Sequence, residues 1–410
     1  MPQPFSALAR AARRPEILAI CAVVFLADVT SSFIVPTLSL YAKSLGASLA
    51  LIGAISGSVN VVSTLLAVPI GLLSDHLGRR QVIFVGLLCF ALSSFLYTVV
   101  PNPYWLFPVR VIAGIASLAT FTISTAYIGD IVRNEDRGPA IGLFTTAMGI
   151  GFTIGPAIGG VVAESYGYRG SYRLAAVIAL IGALVATLSL RDDRKQSIIG
   201  RKNVELKTVQ AMSMTGSFRQ RLRALSGNPG LLAACLTNLC GSMLFNIVFS
   251  FVPLLAAGLG NSEAAIGSIF AARGLASAFS RLPTGMLTTR FGTRRLIIVS
   301  MLIGTVVMLG LAQTNRYALP LLLLVEGVGY GMMLTSGHAY LSEQTEAATR
   351  GVATGVYGMM GSLGGAAGPL LMGVVADWWG LSAVFWCSAA LVGVIVLTLP
   401  NPPSPGRMGV

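Results

Sequence analysis

The sequence predicts an all-α membrane protein: twelve transmembrane helices in two pseudo-symmetric halves of six. Three observations carry this expectation. Of 410 residues, 54% are hydrophobic and only 10% are charged, with a mean hydropathy of +0.78, whereas a soluble domain carries about 25% charged residues. The apolar residues gather into twelve runs, near 17–41, 48–74, 81–100, 104–129, 139–163, 171–190, 231–257, 264–288, 295–313, 317–342, 351–376 and 380–399, each close to the roughly 20 residues that cross a bilayer. The two halves of the chain also repeat each other.

The repeat is read residue by residue. Gly151, Gly155, Pro156 and Gly160 recur 213 positions later as Gly364, Gly368, Pro369 and Gly373. The same offset pairs Ala126-Tyr127 with Ala339-Tyr340, Asp130 with Glu343, Arg137-Gly138 with Arg350-Gly351, and Gly167 with Gly380. At 214, Gly71 pairs with Gly285, Gly78 with Gly292, and Ile52-Gly53 with Ile266-Gly267. Parallel repeats of this kind place a substrate site near the midplane, between the halves. The expected organisation is an N-terminal six-helix half over 1–190, a cytoplasmic linker over 191–228 rich in Arg, Lys, Ser and Gln, a C-terminal half over 229–400, and a Pro-rich tail over 401–410.

The net charge of +13 invites a nucleic-acid partner, but its distribution argues otherwise. With the N-terminus in the cytoplasm, the outside loops hold only Lys43, Arg169, Arg173 and Arg316, and most other cations fall inside. This asymmetry is the positive-inside rule and places both termini in the cytoplasm. The asymmetry implies attraction to anionic headgroups, so the expected partner is the lipid bilayer, with no nucleic acid. The expected setting is the inner (plasma) membrane of a bacterium, with the protein a monomer. Five cysteines lie in apolar runs without CxxC spacing or a nearby His pair, so neither a disulfide nor a metal site is expected. The first apolar run is too long for a secretory signal and reads as a retained span. No phosphate-binding loop, HExxH, GxSxG or catalytic dyad occurs, so no cofactor and no enzyme activity are expected.

The short gap between the second and third runs is dense in signals. Gly71 permits close helix approach, and Gly78 suits a left-handed turn position. Asp75 and Arg79 are spaced to pair across one helical turn, and Arg79-Arg80 make the loop basic. The pattern G-x-x-x-D-x-x-G-[RK]-[RK] resembles the loop 2–3 signature of the major facilitator superfamily of secondary transporters. That resemblance implies the major facilitator fold and transport by alternating access. It also implies that Gly71, Asp75, Gly78, Arg79, Arg80 and Asp130 form a cytoplasmic latch between the halves. In the second half Thr289 stands where Asp75 does, so the latch is expected to be weaker on that side.

In the fifth span, Gly151, Gly155, Pro156, Gly159 and Gly160 place small residues and a kink at helix-contact spacing. The run resembles the span-5 signature of the drug:proton antiporter families; a packing motif common to any twelve-span transporter is the other reading. Arg110, with Gly114 one turn on, matches part of a third signature of those families. A charge inside the membrane costs about 2.5–3.5 kcal/mol on insertion scales, so Arg110 needs a partner, and Asp28, midway along the first span, is the natural one. Two readings follow for this pair: Asp28 as proton carrier modulated by Arg110, or a fixed structural ion pair.

In the second half, Glu326 is either the counter-ion of Arg273 or a second proton or cation site. Ser32, Asn60, Ser117, Asn238, Ser242, Asn246, Arg273 and Tyr330 are the candidate cavity residues. The function expected from the resemblance is proton-coupled efflux, by antiport, of small amphipathic compounds or drugs. Two alternatives stay open: a symporter or facilitator for a small metabolite, with Arg273 binding an anionic group, and a lipid-handling or non-transporting sensor protein.

Overall fold

The structure, a computed structural model, describes residues 14–132, 136–190, 228–345 and 350–398. The expected tail and, apart from Asn228, the expected linker lie outside the described residues. Within a bilayer every backbone polar group must be satisfied internally, and long apolar runs meet that demand as helices. Ten of the helices among the described residues are long and apolar enough to cross a membrane.

The first six arms are α1 (Pro15–Ser44), α2 (Leu49–Leu77), α3 (Arg79–Tyr97), α4 (Pro103–Ile131) and the two arms of Arg137–Ser189. That last stretch has 53 residues and would be roughly 80 Å long if straight, far more than a bilayer core of about 30 Å. It folds back at Gly167, whose φ of 71° and ψ of 170° are non-helical. Ser171 Oγ donates to the carbonyl of Gly159 at 3.1 Å, a contact across twelve residues that only a reversal allows. The arms are α5 (137–166) and α6 (168–189). Sequence periodicity expects a short loop between two runs here; a single glycine in the left-handed region makes the turn instead.

The last six are α7 (Pro229–Gly258), α8 (Glu263–Phe291), α9 (Thr293–Ala312), α10 (Leu319–Glu343), α11 (Arg350–Trp379) and α12 (Leu381–Thr398). Charged Glu263, Arg273, Arg281 and Arg290 keep α8 out of the ten most apolar helices. Counting it, and both arms of the α5–α6 hairpin, gives twelve helical arms among the described residues.

The repeat is built into the helix ends. Ser48 caps α2 by accepting from the Leu51 amide at 3.2 Å, and Ser262 caps α8 by accepting from the Ala265 amide at 3.3 Å. α4 departs from regular geometry through a π-helical turn over Leu118–Thr122.

One end of the bundle, here the basic face, carries the α2–α3 and α8–α9 turns with Arg79, Arg80, Arg294 and Arg295. At the opposite face α2 meets α11, and α5 meets α8, backbone to backbone. A Cβ on Gly53 would collide with the carbonyl of Pro369, and one on Gly267 with the carbonyl of Pro156. Toward the basic face the same four helices part, and Gly71, Gly142, Gly285 and Gly355 have open space where a Cβ would stand. The bundle is therefore closed at the opposite face and split at the basic face.

Candidate functional site

A cavity of ≈ 210 Å³ lies at the centre of the bundle, walled by α1, α2, α3, α4, α5 and α7. Its polar groups come from Ser31, Ser56, Asn60, Tyr97, Arg110, Ser117, Asn246 and Ser250, and its aromatic face from Phe90, Phe152, Phe245 and Phe249. Asn60 Nδ2 donates to Asn246 Oδ1 at 3.2 Å and to the carbonyl of Gly365 at 3.2 Å, tying α2 to α7 and α11 across the halves. Of the expected cavity residues, Asn60, Ser117 and Asn246 stand on this wall. Ser31, on the polar helix face that sequence assigns to Asp28, joins them, whereas sequence does not single out Tyr97 or the individual phenylalanines. The spacing of Phe245 and Phe249, one turn apart beside Asn246, is a signal only once the face of α7 is known.

Among the described residues, Arg110 is the one charged side chain on the wall. It does not pair with Asp28. Its Nε donates to the carbonyl of Ile55 at 3.3 Å and its Nη2 to that of Ser56 at 3.1 Å, both on α2. The Tyr97 hydroxyl lies against the guanidinium without a well-formed hydrogen bond.

Asp28 is 6% exposed and sits where α1 packs on Gly151 of α5. Ser31 Oγ donates to its Oδ1 at 3.3 Å, and Ser31 is on the cavity wall. The acid is thus one side chain removed from the cavity. The expected Asp28–Arg110 pair is corrected here: carbonyls of the neighbouring α2 reach the arginine first.

Ser32 does not line this cavity. Its Oγ donates to the carbonyls of Asp28 at 2.6 Å and Gly151 at 3.3 Å, and a Cβ on Gly155 would collide with it. Gly159 packs in the same way on Phe33, and Gly160 on Glu263 of α8. The glycines around Pro156 therefore serve two contacts, Gly151, Gly155 and Gly159 toward α1 and Gly160 toward α8.

Arg273 and Glu326 form a buried ion pair. The guanidinium is bidentate, through Nε to Oε2 and through Nη2 to Oε1 at 2.8 Å. The two residues are 1% and 4% exposed. Phe245, Phe249 and Tyr330 stand 4.9–5.4 Å from the arginine carbon as cation–π partners. Phe245 and Phe249 also face the cavity, so they screen the pair from it. Arg273 and Tyr330, expected on the wall, stand behind it. Asn238 and Ser242 are off the wall as well: Asn238 Nδ2 donates to the carbonyl of Tyr357 on α11 at 2.7 Å, and the Ser242 carbonyl accepts from Asn246 Nδ2 at 2.9 Å.

At the basic face Arg79 organises three partners: Asp75 at 2.9 Å, Asp130 at 3.0 Å and the Ser74 hydroxyl at 2.8 Å. Arg80 donates to the carbonyl of Thr187 on α6. Gly78 turns the chain with φ of 99°, and Gly71 stands in open space. These contacts tie α2, α3, α4 and α6 together rather than one half to the other, because the face is split. At the repeat position Thr293 Oγ1 donates to Glu343 Oε2 at 2.6 Å, so a hydroxyl takes the place that the Arg79 guanidinium has on Asp130.

The opposite face is held by carboxylates. Asp377 accepts from the Leu49 and Ala50 amides at 2.8 and 3.1 Å, and Glu164 accepts from the Ala264 amide at 2.9 Å. Tyr168 adds a hydrogen bond to Glu263 at 2.9 Å.

A family profile described as Major Facilitator Superfamily matches residues 20–254 and again 234–408. The chain belongs to the major facilitator superfamily. It is a multi-pass membrane transporter and not an enzyme, and the resemblance read from its motifs holds. Among curated proteins, multidrug resistance protein 1 of Bacillus subtilis is 30% identical over 323 residues, 77% of this chain and 78% of that protein. The multi-drug resistance efflux pump PmrA of Streptococcus pneumoniae is 26% identical over 377 residues, 90% and 91% of the two chains. The class C tetracycline resistance protein of Escherichia coli is 28% identical over 349 residues, 80% and 82%. Among solved structures, a bacterial homologue of the lysosomal transporter Spinster, in an inward-facing and occupied conformation, superposes with a TM-score of 0.79 at 14% identity, covering 96% of this chain and all of that one. Within the superfamily fold, then, this chain has a screened ion pair on one side of its central cavity and a half-separated acid on the other.

Proposed function

We propose that this transporter is a proton-coupled antiporter that expels small amphipathic compounds by alternating access. The observation that carries the reading is the position of Asp28, buried at the α1–α5 contact and joined to the cavity through Ser31. A carboxylate is costly at that depth, so taking up or losing a proton changes how α1 packs on the small-residue face of α5. Those helices belong to the same half and form the cavity wall, so a proton at Asp28 and a substrate in the cavity act on one moving unit. Phenylalanines and amides on the wall suit a compound with an apolar body and a few polar groups. The efflux pumps among the relatives support the direction of transport. The basic face lies in the cytoplasm, both termini with it, in the plasma membrane of a bacterium, and the protein works as a monomer. The split face makes this the inward-open state.

The test is Asp28→Asn in everted vesicles. Substrate movement driven by a pH gradient is expected to be lost at matched protein level, while equilibrium binding of a neutral substrate persists. Undiminished gradient-driven transport in this variant removes Asp28 from coupling.

A second reading has its own observation. Arg110 lines the cavity with no carboxylate paired to it among the described residues, next to the Tyr97 hydroxyl, which suits an acidic substrate moving together with a proton. Proteoliposomes separate the two: added substrate drives protons in the opposite direction in antiport and in the same direction in symport.

A further inference from the structure

A second cavity, of ≈ 480 Å³, lies between α5 and α8 on the side where these helices part. It is separate from the central cavity and shares no residue with it. Its walls are apolar and open sideways: Ile150, Leu275 and Phe279 are 48%, 48% and 76% exposed. Each threonine hydroxyl in it is spent on its own helix, Thr145 on Ile141, Thr146 on Gly142 and Thr153 on Gly149. The cation in the cleft is Arg281. Its Nε is buried without a hydrogen-bond partner, and no carboxylate forms an ion pair with it among the described residues.

Depth narrows what can bind there. Arg281 lies ten residues before Phe291, the last residue of α8, about 15 Å along the axis. At 29 residues, α8 is about 43 Å long against a hydrocarbon core of about 30 Å. The Arg281 backbone is therefore within about 10 Å of the headgroup level, inside the reach of a snorkelling guanidinium. The repeat sharpens the argument. The matching position on α2 is Ala67, and the matching α11 positions of Thr145, Thr146, Ile150 and Thr153 are Gly358, Met359, Leu363 and Ala366. Only the α5–α8 side carries a cation at this depth.

We propose that the α5–α8 cleft binds an anionic phospholipid from the leaflet at the basic face, with its phosphate on Arg281 and an acyl chain against Ile150, Leu275 and Phe279. The lipid fits only while α5 and α8 are parted, so it favours the split state. This goes beyond the transport reading and does not depend on it, because binding is measured without a gradient.

The test is lipid retention by the delipidated, purified protein, followed by native mass spectrometry with dioleoyl phosphatidylglycerol and dioleoyl phosphatidylethanolamine. Wild type is expected to keep the anionic lipid about fivefold over the zwitterionic one. Arg281→Gln removes the preference and Arg281→Lys keeps most of it. Ala278→Phe fills the cleft and lowers retention of both lipids, which tests the site without touching its charge. Arg290→Gln, at the same end of α8, leaves the preference intact. The proposal is overturned if Arg281→Gln and Ala278→Phe both behave as wild type. It is overturned equally if Arg290→Gln loses as much as Arg281→Gln, or if glycerol 3-phosphate alone competes as well as the lipid, which would make this a site for a soluble phosphate.

Discussion

Glu164 and Asp377 occupy matching positions of the repeat, 213 residues apart, and each caps a helix belonging to the other half. A carboxylate on the first-turn amides of a helix is favourable by hydrogen bonding and by the helix dipole. Together the two caps fasten both seams of the opposite face. Glu164→Gln and Asp377→Asn are therefore expected to loosen that face and to populate the state open on the opposite side. A cysteine at Asn246, in a cysteine-depleted background, then reacts several-fold faster with a thiol reagent added from the opposite side, most of all in the double variant. Unchanged labelling in the double variant would show that the caps do not control closure.

Gly53 and Gly267 make the closest backbone approaches on those seams, to Pro369 and Pro156. Valine at either position is expected to hold the seam apart and to reduce transport sharply, with similar losses because the repeat makes the contacts equivalent. A Cβ at Gly71 meets nothing within 4 Å among the described residues in this state, so Gly71→Val is expected to leave the split form folded and to act when the basic face closes. Crosslinking across each face measures both. A Gly71→Val variant unable to adopt the split form contradicts this.

Along α5, Gly155 presses on Ser32, whereas Ala157 is only partly buried. Gly155→Leu overpacks the α1–α5 contact, an effect of about 1–3 kcal/mol in tight cores. It also displaces the helix segment that carries Asp28. Ala157→Leu is expected to be mild. An efflux assay at matched protein level compares them, and equal losses at both positions would contradict the packing argument.

Removing one partner of a buried ion pair leaves an uncompensated charge and costs about 3–5 kcal/mol, while replacing both by apolar residues is often neutral. Glu326→Ala is expected to lower the Tm of the detergent-purified protein strongly, because Arg273 is left among Phe245, Phe249 and Tyr330. The double variant Arg273→Leu/Glu326→Leu is expected to recover most of that loss. If the double variant also transports normally, the pair is structural; if it is stable and inactive, Glu326 joins Asp28 as a candidate for coupling.

The sequence by itself determined the all-helical membrane class, the repeat and the concentration of basic residues at one face. Those features depend on residue type and spacing along the chain, and the bilayer imposes them on each helix separately. It also marked Asp28, Arg110, Arg273 and Glu326 as the charges that need company. Which charge meets which was decided by the tertiary structure. Arg110 and Asp28 lie on polar helix faces, but a polar face can turn toward a cavity, a neighbouring helix or another helix's carbonyls. Packing rotated Arg110 onto the Ile55 and Ser56 carbonyls and Ser32 onto Gly151. It set Phe245 and Phe249 as a screen between Arg273 and the cavity. Helix rotation is fixed by contacts between segments far apart in the chain, through small residues such as Gly151, Gly155, Gly53 and Gly267, and no local pattern encodes it.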